Sequence, residues 1–153
     1  MNIDLTEAIG FLSISTMTRL VAGFRETLDS YGLIQKQAGI LWRCHYEPQS
    51  QTRLQEAIMA DKNYVRFYID DLEAKGLVYR QKNAQNRREN IIHLTEEGKK
   101  ISTETFSLML EYQNKTLLKH ISQDELDVLV ATLKKLYFGM RQEADFQKAR
   151  STK

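Results

Sequence analysis

Apolar residues recur at helical spacing over most of the chain. Between Ile3 and Ser30, Leu5, Ile9, Leu12, Met17, Leu20, Phe24 and Leu28 follow at steps of three to five, which predicts one long amphipathic helix closed by Tyr31-Gly32. A second helix is predicted from Ile34 to His45, carrying Ile40, Leu41 and Trp42, and Glu47-Pro48-Gln49-Ser50 breaks it. The pieces then shorten. Thr52-Arg53-Leu54-Gln55 has the form of a capping box and opens a helix to about Met59. Asp61 is a good N-cap for a helix from Lys62 to about Lys75, with Gly76 as its terminating glycine. In that helix Val65, Ile69 and Leu72 share one face, and Tyr68 covers its edge. Two short helices around a tight turn form a helix-turn-helix pattern.

The period then changes. Leu77-Val78-Tyr79-Arg80 reads as a strand, Asn83 to Arg88 as a polar hairpin tip, and Asn90-Ile91-Ile92-His93-Leu94 as the returning strand. A β-ribbon directly after a helix-turn-helix is a wing. Thr95 caps the next long helix, which has Glu96 and Glu97 in its first turn and Ile101, Leu108, Met109, Tyr112 and Leu117 on one side. Ser122-Gln123-Asp124-Glu125 is a second capping box. It opens a last helix with Leu126, Leu129, Val130, Leu133, Leu136, Tyr137 and Met140, and the polar tail after Glu143 is expected to fray. The predicted fold class is mainly α with a small β-wing.

Composition agrees with this. The 153 residues are 42% hydrophobic and 27% charged, with Pro48 the only proline, so the chain should fold and should be largely helical. A net charge of +2 says little about partners. Its distribution says more: from Lys75 to Arg88 the charged residues are Lys75, Arg80, Lys82, Arg87 and Arg88, with no acid among them. A basic tip on a nearly neutral chain suits phosphate contact; the plainer alternative is a solvated turn.

Other functions find little support. Cys44 is the single cysteine, so no intramolecular disulfide forms and a reducing cytoplasm fits. A lone thiol of this kind is expected to be a small buried hydrophobe. Met-Asn-Ile-Asp-Leu-Thr-Glu has an early acid and no basic stretch, so no secretory signal is expected. No apolar run is long enough to span a bilayer, and no membrane partner is expected. There is no glycine-rich phosphate loop or nucleophile elbow, and His45, His93 and His120 lack metal-ligand spacing. No catalytic residue, metal or cofactor is therefore expected.

The helix from Lys62 offers Asn63, Arg66, Phe67 and Asp70 on the face opposite its apolar stripe. The N-terminal part of such a helix enters the DNA major groove. There Asn63 could read adenine, Arg66 guanine or phosphate, and Phe67 a thymine methyl. The alternative for Tyr64 and Phe67 is packing against the wing or the first short helix. Asp70 lies far along the helix and would repel phosphate. Lys62, together with Thr52 and Arg53 at a helix N-terminus, is a candidate phosphate contact.

The wing carries a resemblance. Asn86, Arg87, Arg88, five residues, Leu94-Thr95, two residues and Gly98 are similar to a pattern of the MarR (multiple antibiotic resistance regulator) family: Asp, any residue, Arg, five residues, Leu-Thr, two residues, Gly. Leu72-Glu73-Ala74-Lys75-Gly76-Leu77-Val78 also resembles the family's Leu-Glu-x-Lys-Gly-Leu-Val. Four residues depart from it. Asn86 stands for the aspartate expected to hold wing arginines, Arg66-Phe67 for a common Thr-Arg pair, and Met59 for a frequent glycine in the turn.

The resemblance implies a single unit over 1–153. The winged helix-turn-helix would occupy 34–95, and the helices in 1–31 and 96–143 would form a dimerisation region. Leu5, Ile9, Leu12, Leu129, Leu133 and Leu136 would build the subunit interface, the alternative being an intramolecular bundle. Arg88 would enter the minor groove while Arg87 and Lys82 hold phosphate. The implied protein is a cytoplasmic, nucleoid-associated homodimeric repressor of bacteria or archaea, bound to double-stranded DNA at a palindromic operator. A small-molecule effector could relieve it from a pocket lined by Met17, Phe24 and Trp42, residues that fit a place in the core equally well. The rival is a helical dimer whose DNA head has degenerated into a protein-interaction module.

Overall fold

A computed structural model describes the backbone of residues 3–151 and the side chains of residues 3–144. Met1 and Asn2, at the head of the expected 1–31 dimerisation segment, and Thr152 and Lys153 lie outside the described residues. The elements are α1 (Ile9–Ser30), α2 (Gln35–Tyr46), β1 (Gln49–Ser50), α3 (Gln51–Ile58), α4 (Lys62–Ala74), β2 (Val78–Lys82), β3 (Asn90–Leu94), α5 (Glu96–Leu117) and α6 (Gln123–Ser151). The protein is mainly helical with one small antiparallel sheet. Two compact units divide it, 1–112 and 113–153.

Three sequence expectations are corrected. The first helix does not begin at Ile3: the Asp4 carboxylate accepts from the Thr6 N–H and hydroxyl, closes a 3-10 turn over Leu5–Glu7, and leaves α1 to start at Ile9. The sheet has a third strand, in the order β1-β3-β2. β1 pairs Gln49 with Ile92 and Ser50 with Ile91; a two-residue strand is too short to show alternation in sequence. Lastly, α6 does not stop near Glu143 but runs to Ser151.

In the first unit Leu28, Leu33, Ile40, Leu41, Leu54, Val65, Ile69, Leu72 and Ile92 are closed to solvent and form one core. Ile101, Leu108, Met109 and Tyr112 of α5 pack against it. Charged groups tie the pieces together. Gln37 of α2 donates to the Asp71 carboxylate, which also takes Lys75, and Lys75 donates to the Gly32 carbonyl at 2.7 Å.

The Leu-Thr-x-x-Gly spacing has a mechanical reason. The Thr95 hydroxyl donates to the Gly76 carbonyl at 2.6 Å, behind the C-terminus of α4. The same oxygen accepts the Gly98 N–H at 3.0 Å, capping α5. One side chain thus joins the end of α4 to the start of α5. In the second unit the Ser122–Glu125 capping box forms in both directions, at 2.8 and 3.3 Å.

Candidate nucleic-acid interface

The helix-turn-helix is built from local signals. Ser50, not Thr52, caps α3: its hydroxyl accepts the Arg53 N–H at 3.2 Å. Pairing of Ser50 with Ile91 holds its backbone extended, as an N-cap requires, and places Thr52 inside the helix. Met59 follows α3 in the left-handed region, at φ 47°. Two cations from α2 support this turn. Lys36 donates to the Ile58 and Met59 carbonyls, and Arg43 to the Ala57 carbonyl at 3.1 Å. Positive charge on these last carbonyls opposes the negative end of the α3 dipole. Asp61 then caps α4, accepting the Asn63 N–H at 2.8 Å.

α4 divides as its period requires. Val65, Ile69 and Leu72 are fully buried, while Lys62, Asn63, Tyr64, Arg66, Phe67 and Asp70 are exposed. Tyr64 and Phe67 are 63% and 64% exposed, so they do not bury themselves against the wing or α3. Both rest beside Tyr68, with ring centroids 6.3 and 6.0 Å away, which keeps them on the open face.

The wing turns through side-chain and backbone bonds. The Asn83 N–H donates to the Glu89 carbonyl at 3.0 Å, and the Glu89 N–H to the Asn86 carbonyl at 2.9 Å. The Asn86 side-chain oxygen accepts the Arg88 N–H at 3.2 Å. Asparagine therefore performs the turn with its neutral oxygen and holds the backbone of Arg88. Lys82, Arg87 and Arg88 are exposed, and among the described residues none has a carboxylate within 4.0 Å.

Not all of the basic run is free. Arg80 is only 20% exposed and is held by Asp70 and Glu73 of α4. Arg53 lies 3.7 Å from Glu47 across an exposed pair. The β1–β3 register brings Glu89 next to the start of α3. The Ser50 hydroxyl, then Asn83, Thr52 and the charge of Arg53 hold its carboxyl below the usual range. Thr52 thus faces an acid as well as solvent.

These elements enclose an open groove of 570 Å³. Lys62, Arg66, Arg80 and Arg88 line it with Asp70 and Glu89. It joins the exposed face of α4, the first turn of α3 and the wing, bringing Thr52, Lys62, Arg66 and Arg88 to one surface. Sequence reading named Arg80 only as part of the basic run, missed Glu89 in the groove lining, and missed Ser50 and Glu73 as the groups that hold Glu89 and Arg80. Ser50 ahead of a helical stretch was a usable capping signal; Glu89 depends on the β1–β3 pairing, and Glu73 and Arg80 on β2 folding back along α4.

The three residues named as pocket lining or core differ in their surroundings. Phe24 is 2% exposed and packs on Tyr112, with centroids 5.7 Å apart. Trp42 donates to the Thr105 hydroxyl at 3.1 Å and meets Phe106 edge-on. Met17 is open to solvent. Phe24 is thus core, because its ring fills the space between α1 and α5. The expected interface residues stand open: Leu5, Ile9 and Leu12 in the first unit, Leu129, Leu133 and Leu136 in the second. Cys44 is buried, and burial pushes its thiol up to about 12, which removes the thiolate that metal binding or oxidation needs. No described helix is long and apolar enough to cross a membrane.

The family model described as MarR family matches residues 33–90, from the turn before α2 to the first residue of β3. Over those residues the chain is similar to the MarR family. Solved structures agree on the fold. A MarR-family transcriptional regulator from Rhodococcus sp. RHA1 superposes with a TM-score of 0.80 at 21% identity, covering 90% of this chain and 98% of that one. The transcriptional repressor CouR bound to a 23-mer DNA duplex gives 0.72 at 20% identity, over 90% and 99%. CouR from Rhodococcus jostii RHA1 bound to p-coumaroyl-CoA gives 0.75 at 19% identity, over 91% and 95%. The chain therefore shares the fold of these structures, and its groove lies between the helix-turn-helix and the wing.

Proposed function

We propose that the protein is a sequence-specific, double-stranded DNA-binding transcription regulator, acting in the cytoplasm as a homodimeric repressor at a palindromic operator. The observation that carries this reading is the groove. An α4 face of Asn63, Arg66 and Phe67 stands open beside a wing whose Arg88 has no acidic partner among the described residues. α4 would read base edges in the major groove, while Arg88 would enter the minor groove. Lys62, Lys82, Arg87, Arg53 and Thr52 would hold phosphate, and Tyr64 would lie along the backbone. Reading a two-fold site requires paired heads about one DNA turn apart. The exposed Leu5, Ile9 and Leu12 of one unit and Leu129, Leu133 and Leu136 of the other supply apolar surface for that pairing.

A DNA complex and a p-coumaroyl-CoA complex are both recorded for CouR, which shares the fold. Relief of this chain by a small ligand is proposed on that likeness.

The test selects duplexes from genomic fragments and titrates them over a range of salt. The expected result is binding well above random duplex, with a salt slope that drops on Arg88→Ala. Binding no tighter than to random duplex, with a slope unchanged by Arg88→Ala, would overturn the reading in favour of a protein-interaction module.

A further inference from the structure

Asp70 is the one acid on the open face of α4, where it should repel phosphate. Its surroundings change that expectation. One carboxylate oxygen is 2.6 Å from the Arg80 guanidinium on β2. The other faces Arg66 one turn back on the same helix, with Nε at 3.8 Å. Arg80 is fixed in turn by Glu73, which accepts both its backbone N–H, at 3.0 Å, and its guanidinium. A chain of alternating charge therefore runs from Glu73 through Arg80 and Asp70 to Arg66. Its root is half-buried where α4 meets the wing, and its tip is exposed in the groove.

Left alone, an aspartate at this position would close on Arg66 and hold the guanidinium down against the helix. Here Arg80 already takes one oxygen in a short, charge-assisted bond. The second oxygen stays turned to Arg66 at 3.8 Å, beyond hydrogen-bond distance, so it faces the guanidinium without closing on it. Orientation matters because guanine reading requires a planar fork aimed at two acceptors on one base edge.

Resting on the DNA-reading function proposed above, we infer that Asp70 and Arg80 are positioning residues. They set the aim of Arg66 and so the base preference of the protein, and they couple that aim to the wing strand that carries Arg80. Asp70 touches no base in this arrangement. It acts through Arg66.

The experiment compares wild type with Arg66→Ala, Asp70→Asn, Arg80→Lys, Arg80→Met and the double variant Arg66→Ala/Asp70→Asn. Each is assayed for base preference by selection from a randomised duplex library, and for affinity to random duplex at one fixed salt concentration. Asp70→Asn should lower discrimination at the base pair read by Arg66 by about tenfold, while binding to random duplex stays equal or tightens as a negative charge is lost. In the Arg66→Ala background Asp70→Asn should change base preference no further. Arg80→Met should lower discrimination and Arg80→Lys should restore part of it.

An Asp70→Asn preference identical to wild type, or an equal loss in the Arg66→Ala background, would overturn the inference. Asp70 is exposed, so its variant keeps the readout available should Arg80→Met fail to fold. The base-reading role of Arg66 fails separately, if Arg66→Ala alone leaves preference unchanged. The inference then falls with it.

Discussion

The backbone of Gly98 lies against the carbonyl of Leu77, so closely that a Cβ at residue 98 would overlap the carbonyl oxygen. That oxygen is not free to move, because it accepts the Thr95 N–H at 3.1 Å. Overlap with fixed backbone cannot be relieved by a rotamer change. Gly98→Ala should therefore destabilise the protein by about 3 kcal/mol, read as a fall in the midpoint of urea unfolding. An unchanged midpoint would mean that α5 can slide away from β2.

Met59 makes the opposite prediction. It adopts φ 47° with its side chain 86% exposed, so the side chain contributes little packing while the backbone carries the left-handed penalty. Met59→Gly should raise stability by up to about 1 kcal/mol, the relief of strain exceeding the entropy that glycine loses on folding. Chemical denaturation of the two proteins measures it. Equal stability would indicate that Lys36 and Arg43 already offset the strain.

Asn86 joins the wing through a neutral oxygen. Asn86→Ala removes the bond to the Arg88 N–H, worth about 1 kcal/mol, from a turn that packs on no core. Operator affinity should fall about fivefold, with thermal stability nearly unchanged. Asn86→Asp, which keeps the acceptor, should retain wild-type affinity or exceed it. A large loss of stability on Asn86→Ala would show that the wing supports the core.

Asp71 links stability to pH. The hydrogen bond from Lys75, and then that from Gln37, hold its carboxyl below the ordinary aspartate range. A carboxyl whose folded value is depressed stabilises the native state above its unfolded pKa, about 4, and loses that contribution as pH falls through the folded value. Wild type should therefore melt above Asp71→Asn at pH 6. The gap should shrink steadily below pH 4. A gap independent of pH would assign the effect to packing.

Cys44 should be inert. With its thiol pushed up to about 12 by burial, native protein at pH 8 should react with an aromatic disulfide reagent far more slowly than urea-unfolded protein. Equal rates would show that the α2 region opens readily.

How far the chain could be read without its structure follows from where each signal resides. Asp61, Thr95, the Ser122–Glu125 box and the apolar stripe of α4 are local. Each depends on residues within one or two turns, and each is present as read. Helix periods and caps, and with them the helix-turn-helix and the wing, were thus legible from sequence alone. Other features needed chain segments to meet. Ser50 rather than Thr52 caps α3 because β1 pairs with β3. Phe24, which the sequence left open between core and pocket lining, packs into the core because α5 returns over α1. The basic run loses Arg80 to Asp70 and Glu73 because β2 folds back along α4. Sequence determined which residues could share the open face of α4, since helical period is a property of neighbours. Only the tertiary structure decided which of their charges remain free, since charges pair across space.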